Sequence, residues 1–343
     1  MTTTCTENCA ALKPADFASD QEVKWCPGCG DYAVLAQVRK VLAQQGVDKS
    51  KTVFVSGIGC SSRFPYYVNT YGFHSIHGRA CTIATGLKLA RPDLSVWIAT
   101  GDGDALSIGG NHLLHILRRN IDAKILLFNN RIYGLTKGQA SPTSEIGKVT
   151  KSTPYGSLDA PFNPISLALG AGATFVARTL DTDKNHLPAM LRAAAAHPGA
   201  ALVEIFQNCP VFNDGAFDAL TEKATRAANV IELVHGEPIR FGAEAEQGVI
   251  RNADGELEVV EVAAVGEDAL LRHDAHREDP SLAFALSRVG EQGGAVPIGI
   301  FRSAPRPSAT AELVGELRAA HENFDDEALS GLLHGGDTWS VGG

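Results

Sequence analysis

Two apolar runs of strand length, SVWIAT and KILLF, each stop at residues that strands avoid: the first at Gly101-Asp102-Gly103, the second at Asn129-Asn130. Between Gly103 and Asn129 lie 25 residues, which include a helical run, Leu106 to Arg119. That spacing fits a single strand, helix, strand crossover, the connection that parallel strands require. Parallel neighbours present their carboxyl ends side by side, where open α/β sheets bind ligands. The layout therefore brings Asp102 and Asn130 face to face.

A hard cation such as Mg²⁺ takes oxygen ligands in octahedral geometry, commonly one or two carboxylates completed by phosphate oxygens. Asp102, the Asn130 side-chain oxygen and a carbonyl near Ile132 can supply the protein's share. Glycines let backbone N–H groups approach phosphate, and a helix opening near Ala105 adds a favourable dipole. GDG alone reads equally well as a plain strand-to-helix turn. Coupled to NN at this distance, it resembles the signature of thiamine diphosphate enzymes.

Cys26-Pro27-Gly28-Cys29 is a compact CxxC, Cys60 follows a strand in VSGIGCSS, and Cys209 follows ALVEIF. One close pair plus two distant cysteines suits an iron–sulfur cluster, structural zinc or, for the CxxC alone, a redox dithiol. Chemistry favours the cluster. A substrate held on thiamine is electron-rich once CO₂ has left, and a nearby one-electron acceptor gives it an oxidative exit that zinc does not.

Taken together, WCPGCGDYAVL, GIGCSSRFPYY, HGRACTIATGLKLARPD, the GDG/NN unit and QNCPVFND resemble the β subunit of 2-oxoacid:ferredoxin oxidoreductases, most closely the 2-oxoglutarate type. The resemblance spans residues 20–230. It implies that Cys26, Cys29, Cys60 and Cys209 bind one [4Fe–4S] cluster and that Asp102, Asn130 and the Ile132 carbonyl bind Mg²⁺. It also implies diphosphate contacts at Gly101, Gly103 and Asp104, with further cofactor contacts at Ile58, Gly59, Cys60, Ser61, His77, Gly134 and Leu135. The implied reaction is oxidative decarboxylation of a 2-oxoacid, capture of the acyl group by coenzyme A and delivery of electrons to ferredoxin. The activating Glu of the thiamine pyrimidine belongs to an α subunit in this family, so the chain is expected to act only in an assembly, α₂β₂.

Composition agrees. With 343 residues, 44% of them hydrophobic, the chain can bury a large core. No apolar stretch approaches the roughly 20 residues of a membrane span, and no secretory signal is legible. Seven cysteines without such a signal point to a reducing cytoplasm rather than a disulfide scaffold. A net charge of −9 argues against nucleic acid, and an acidic ferredoxin would need a local basic patch. Cys5 and Cys9 fall in a polar arm, whereas Cys81 reads as packing.

The period of the apolar residues predicts strands at Thr52 to Ser56, Ser95 to Thr100, Lys124 to Phe128, Ala173 to Ala177 and Ala201 to Phe206. Helices are predicted at Asp31 to Gln45, Ala80 to Ala90, Leu106 to Arg119, Pro164 to Leu169 and Lys184 to His197. The fold expected is α/β, a mostly parallel sheet with helices on both faces. A flexible arm is expected over 1–20, the cofactor and cluster domain over 21–225, and an extension with subunit contacts over 226–343. That extension includes a hairpin turning at Asn252-Ala253-Asp254-Gly255. The aperiodic stretch Gly134 to Phe162 is long for a passive connection and is read as an active-site loop.

His112 and His115, at i and i+3, read more readily as core or interface groups than as metal ligands. For the distal carboxylate of a dicarboxylic substrate, Arg63, Arg79 and Lys137 are the candidates, each flanking a cofactor loop; with His77 they are also the candidates for a catalytic role. Other classes stay open: pyruvate or another 2-oxoacid as substrate, a non-oxidative thiamine decarboxylase or carboligase with structural zinc, and a non-catalytic cluster carrier.

Overall fold

Water reaches neither face of the central strands, which is why they read as unbroken apolar runs rather than alternating ones. In the computed structural model, which describes residues 12–291, 293–322, 325–336, 339 and 341–342, the strands are β1 (Thr52–Ser56), β2 (Tyr71–His74), β3 (Ser95–Gly101), β4 (Ala123–Asn129), β5 (Phe175–Leu180), β6 (Ala201–Phe206), β7 (Val230–Leu233), β8 (Arg240–Phe241), β9 (Gln247–Arg251), β10 (Leu257–Glu261) and β11 (Val296–Ser303). Eight form one sheet in the order β2-β1-β3-β4-β6-β5-β11-β7. The first six of these are mutually parallel; β11 runs antiparallel to β5, and β7 runs parallel to β11.

Alternate residues of each strand feed opposite cores. Val96, Ile98, Ile125 and Leu127 pack with the helices Ala80–Ala90, Gly110–Arg118 and Pro164–Gly170. Trp97, Ala99, Leu126 and Phe128 pack with Asp31–Gln44 and His186–Ala196. Burying one such large side chain contributes about 1.5–3 kcal/mol, so both helical layers are strongly held.

The chain leaves β1 toward β2 at the sheet edge and returns to place β3 on β1's other side. The crevice beyond the carboxyl ends of β1 and β3 is thus a topological switch point.

The helix expected over Leu106 to Arg119 is broken into Asp102–Leu106 and Gly110–Arg118. Gly109 stands at the break because the backbone there is crowded: a Cβ on it would lie 2.3 Å from the Asp104 carbonyl oxygen and 3.1 Å from Gly78 Cα. The strand expected over Ala173 to Ala177 begins later, at Phe175, since Gly172 turns at φ +77° and Ala173 N–H still closes the preceding helix on Ala168 O. The hairpin turns where expected, with Asn252 N–H donating to Glu256 O across β9 and β10.

Two boundaries differ from the sequence reading. Residues 226–343, read as an extension, contribute β7 and β11 to the main sheet. The arm is not free through residue 20: Phe17 is fully buried among Val34, Val38 and Tyr67, and Ala18 bridges Val68. Cys5 and Cys9 lie outside the described residues. Cys81 is buried in the core, as its small-residue helix suggested. Among the described residues no helix is long and apolar enough to cross a membrane.

Candidate active site: a diphosphate pocket beside four cysteines

Loops leaving β1, β2, β3, β4 and β6 meet above the switch point and enclose a cavity of about 150 Å³. Ile58, Gly59, Cys60, Ser61, His77, Gly101, Asp102, Gly103, Asp104, Gly134 and Leu135 all line it, as do Asn130 and Ile132. The residues singled out in the sequence for cofactor and Mg²⁺ therefore share one space, although four separate loops supply them.

Asp102 begins the one-turn helix Asp102–Leu106 and is buried. The hydroxyls of Ser141 and Thr143 each lie 2.6 Å from its Oδ2. Burial pushes its carboxyl above the usual range, against the pull of those two donors. A buried carboxylate short of countercharge is chemically suited to a divalent cation. Both hydroxyls come from the 134–162 loop, which folds back against Asp102 after walling the cavity.

The two asparagines diverge. Asn130 faces the pocket, its Nδ2 donating 2.9 Å to Gln207 Oε1 and its Oδ1 accepting from Ile132 N–H at 3.1 Å. Asn129 points into the sheet, where Nδ2 donates 2.7 Å to Glu204 and Oδ1 receives Thr143 at 2.9 Å.

The Asp104 carboxylate is engaged within the protein. Its Oδ1 accepts from Gly78 N–H at 2.7 Å and Ile58 N–H at 3.0 Å and lies 2.6 Å from His77 Nδ1, while Oδ2 accepts from Thr100 at 2.6 Å. The carboxylate ties the loops after β1 and β2 to the end of β3, and so fixes His77. Gly57 must lack a side chain for this, because a Cβ there would sit 2.1 Å from Asp104 Oδ2.

A second cavity, of about 220 Å³, adjoins the first and is lined by Cys26, Cys29, Cys60 and Cys209. All four are free thiols. The two cavities share Cys60, Asn130, Gly134, Leu135 and Gln207. A Cβ on Gly134 would lie 3.5 Å from Cys209 Sγ and 3.6 Å from Cys60 Sγ, so this glycine stands between two of the thiols. Burial pushes the Cys60 thiol up to about 12 and that of Cys29 higher still. Among the described residues no three His, Cys, Asp or Glu side chains converge tightly enough to hold a single metal ion.

Of the candidate cations, Arg63 and Lys137 line the cysteine cavity. Arg79 does not, and its guanidinium pairs with His112. His115 Nδ1 is buried without a partner.

Sequence reasoning passed over Asp31, Tyr133, Thr136 and Gln207, which also line the pocket. Asp31 is buried with both carboxylate oxygens unpartnered, and burial pushes its carboxyl up to about 7. Its adjacency to CxxCG was the one signal available.

This switch-point pocket, with its Asp, Asn and carbonyl set, defines a thiamine diphosphate-binding domain, and residues 57–205 match the family of thiamine pyrophosphate enzymes, C-terminal TPP binding domain. The chain is 61% identical over 334 residues to the 2-oxoglutarate oxidoreductase subunit KorB of Mycobacterium tuberculosis, covering 96% of this chain and 88% of that one. It is 47% identical to the 2-oxoacid:ferredoxin oxidoreductase 1 subunit beta of Aeropyrum pernix, over 58% of this chain and 63% of that one. Among solved structures, the 2-oxoglutarate:ferredoxin oxidoreductase from Magnetococcus marinus with 2-oxoglutarate, coenzyme A and succinyl-CoA bound superposes with a TM-score of 0.75 at 34% identity, over 94% of this chain and 96% of that one. The chain belongs to the β subunits of the 2-oxoacid:ferredoxin oxidoreductases.

Proposed function

We propose that this chain is the β subunit of a coenzyme A-dependent 2-oxoglutarate:ferredoxin oxidoreductase of the cytoplasm, active with an α subunit as α₂β₂. One observation carries the reading: the pocket suited to diphosphate and a cation shares a wall with the cavity of four cysteines. Thiamine diphosphate supplies the electron sink for loss of CO₂, and a [4Fe–4S] cluster supplies one-electron acceptance.

In this reading Asp102, the Asn130 side chain and the Ile132 carbonyl hold Mg²⁺, and the chain at Gly101, Gly103 and Asp104 contacts the diphosphate. Asp104 keeps His77 and the Ile58 to Ser61 loop against the cofactor. Cys26, Cys29, Cys60 and Cys209 hold the cluster. Zinc held by the same thiols would supply no electron acceptance. Arg63 and Lys137, on that cavity's wall, supply positive charge for the distal carboxylate of the oxoacid. The identity to the mycobacterial 2-oxoglutarate oxidoreductase subunit and the 2-oxoglutarate and coenzyme A in the Magnetococcus structure support this choice of substrates.

The test is reduction of ferredoxin by the anaerobically purified complex of this chain with its co-expressed α subunit. Reduction requiring both 2-oxoglutarate and coenzyme A is expected. Equal rates with pyruvate would remove the substrate assignment, and turnover by this chain alone would remove the shared site.

A further inference from the structure

A row of buried polar side chains runs from the pocket across the sheet. Thr143 Oγ1 lies 2.6 Å from Asp102 Oδ2 and 2.9 Å from Asn129 Oδ1. Asn129 Nδ2 donates 2.7 Å to Glu204 Oε1, and Arg178 Nε donates 2.7 Å to Glu204 Oε2. Arg178 and Glu204 are cross-strand partners on β5 and β6, both buried, and the Arg178 guanidinium sits between Phe206 and Phe301 while donating to Pro297 O on β11.

Each member constrains the next. The paired arginine holds the Glu204 carboxylate, and that carboxylate accepts hydrogen bonds only, so the NH₂ end of Asn129 must face it. Arg131 N–H, 3.2 Å from Asn129 Oδ1, confirms the orientation. Asn129 therefore offers Thr143 an acceptor. The Thr143 hydroxyl has one proton, shared between Asp102 Oδ2 at 2.6 Å and Asn129 Oδ1 at 2.9 Å with the shorter arm on the carboxylate, and Ser141 Oγ stands 3.2 Å away. Ser141 reaches the same Oδ2, so neither hydroxyl touches Oδ1.

We propose that Thr143 and Asn129, backed by the Arg178–Glu204 pair, are positioning residues that orient Asp102 for its cation. This rests on the reading that Asp102 binds Mg²⁺ with thiamine diphosphate. The row spans β4, β5, β6 and β11, so the buried Arg178–Glu204 pair extends the reach of the sheet to the ligand without touching it. Groups that orient a metal ligand from behind change metal affinity by about 10- to 100-fold when removed.

Calorimetric titration of Mg²⁺ into the apo complex with its α subunit, in the presence of thiamine diphosphate, tests this. Thr143→Val removes the hydroxyl at constant shape, and a loss of Mg²⁺ affinity of about 10- to 100-fold is expected. Thr143→Ser, which keeps the hydroxyl, is expected to restore most of the affinity, and unfolding temperatures without ligand should stay together. Asn129→Ala is expected to weaken Mg²⁺ in the same direction, and it carries the test if Thr143→Val fails to fold. Wild-type affinity in either variant would overturn the proposal. A wild-type complex that binds neither Mg²⁺ nor the diphosphate would instead overturn the reading of the pocket.

Discussion

Tyr133 occupies the space that a side chain on Gly103 would need: a Cβ there would lie 2.0 Å from Tyr133 Cε1, and the Tyr133 hydroxyl donates 3.2 Å to the Gly103 carbonyl. The last glycine of GDG thus makes room for a tyrosine contributed by the loop after NN. Gly103→Ala should displace the ring and cost about 1–3 kcal/mol of stability, with thiamine diphosphate affinity falling alongside. Thermal unfolding checks it, and Gly103→Ala/Tyr133→Ala should recover part of the loss. An unchanged Gly103→Ala protein would show the contact to be dispensable.

The Arg178–Glu204 pair should behave as a buried ion pair. Replacing Arg178 alone by Met strands the Glu204 carboxylate and should cost about 3–5 kcal/mol, whereas Arg178→Met with Glu204→Leu should cost less. Denaturant midpoints of the two variants decide. A double variant as unstable as the sum of its singles would mean that the charges act independently.

The 2-oxoglutarate assignment predicts a selective effect at the cysteine cavity. Removing one charge-assisted bond of about 1.5–3 kcal/mol, as in Arg63→Met or Lys137→Met, should lower kcat/KM for 2-oxoglutarate by roughly tenfold to a hundredfold and leave pyruvate less affected. Arg79→Met serves as the control, since that side chain is bound to His112. Equal losses for both substrates would mean that the residue holds the loop and not the substrate.

Acid should weaken the metal-free chain partly through His197. Its Nε2 lies 2.8 Å from Thr174 Oγ1, and burial, then the nearby Lys124 ammonium, hold the imidazole down at about 4. Because the unfolded ring protonates near 6.5, this contribution is complete above that pH and fades as pH falls toward 4. Denaturant midpoints of wild type and His197→Gln, compared between about pH 7.5 and about pH 5, should show the smaller drop in the variant. Equal drops would place the acid sensitivity elsewhere.

The site was legible in the sequence wherever chemistry is written locally. GDG, NN, CxxC and the cysteines after β1 and β6 stand at strand ends, and strand ends are marked by abrupt loss of apolar character. Thr143, Gln207 and Asp31 were not legible, since a lone polar residue carries no period or spacing. Proximity of Arg79 to His77 along the chain likewise says nothing about side-chain direction, which leads to His112. Among the strands, β2 escaped because all four of its residues are exposed at the sheet edge. β11 escaped because its partner β5 lies far upstream, and the two pair antiparallel in a sheet whose other pairings are parallel.

In the proposed function the four thiols hold an electron acceptor against the thiamine pocket. Iron, sulfide and zinc should be measured on the anaerobically purified complex, with the visible spectrum recorded before and after 2-oxoglutarate and coenzyme A are added. Iron and sulfide at cluster stoichiometry, with a brown chromophore that bleaches on addition, are predicted for the wild type and should be lost in Cys60→Ser. Zinc without iron, or iron whose spectrum ignores the substrates, would contradict the account.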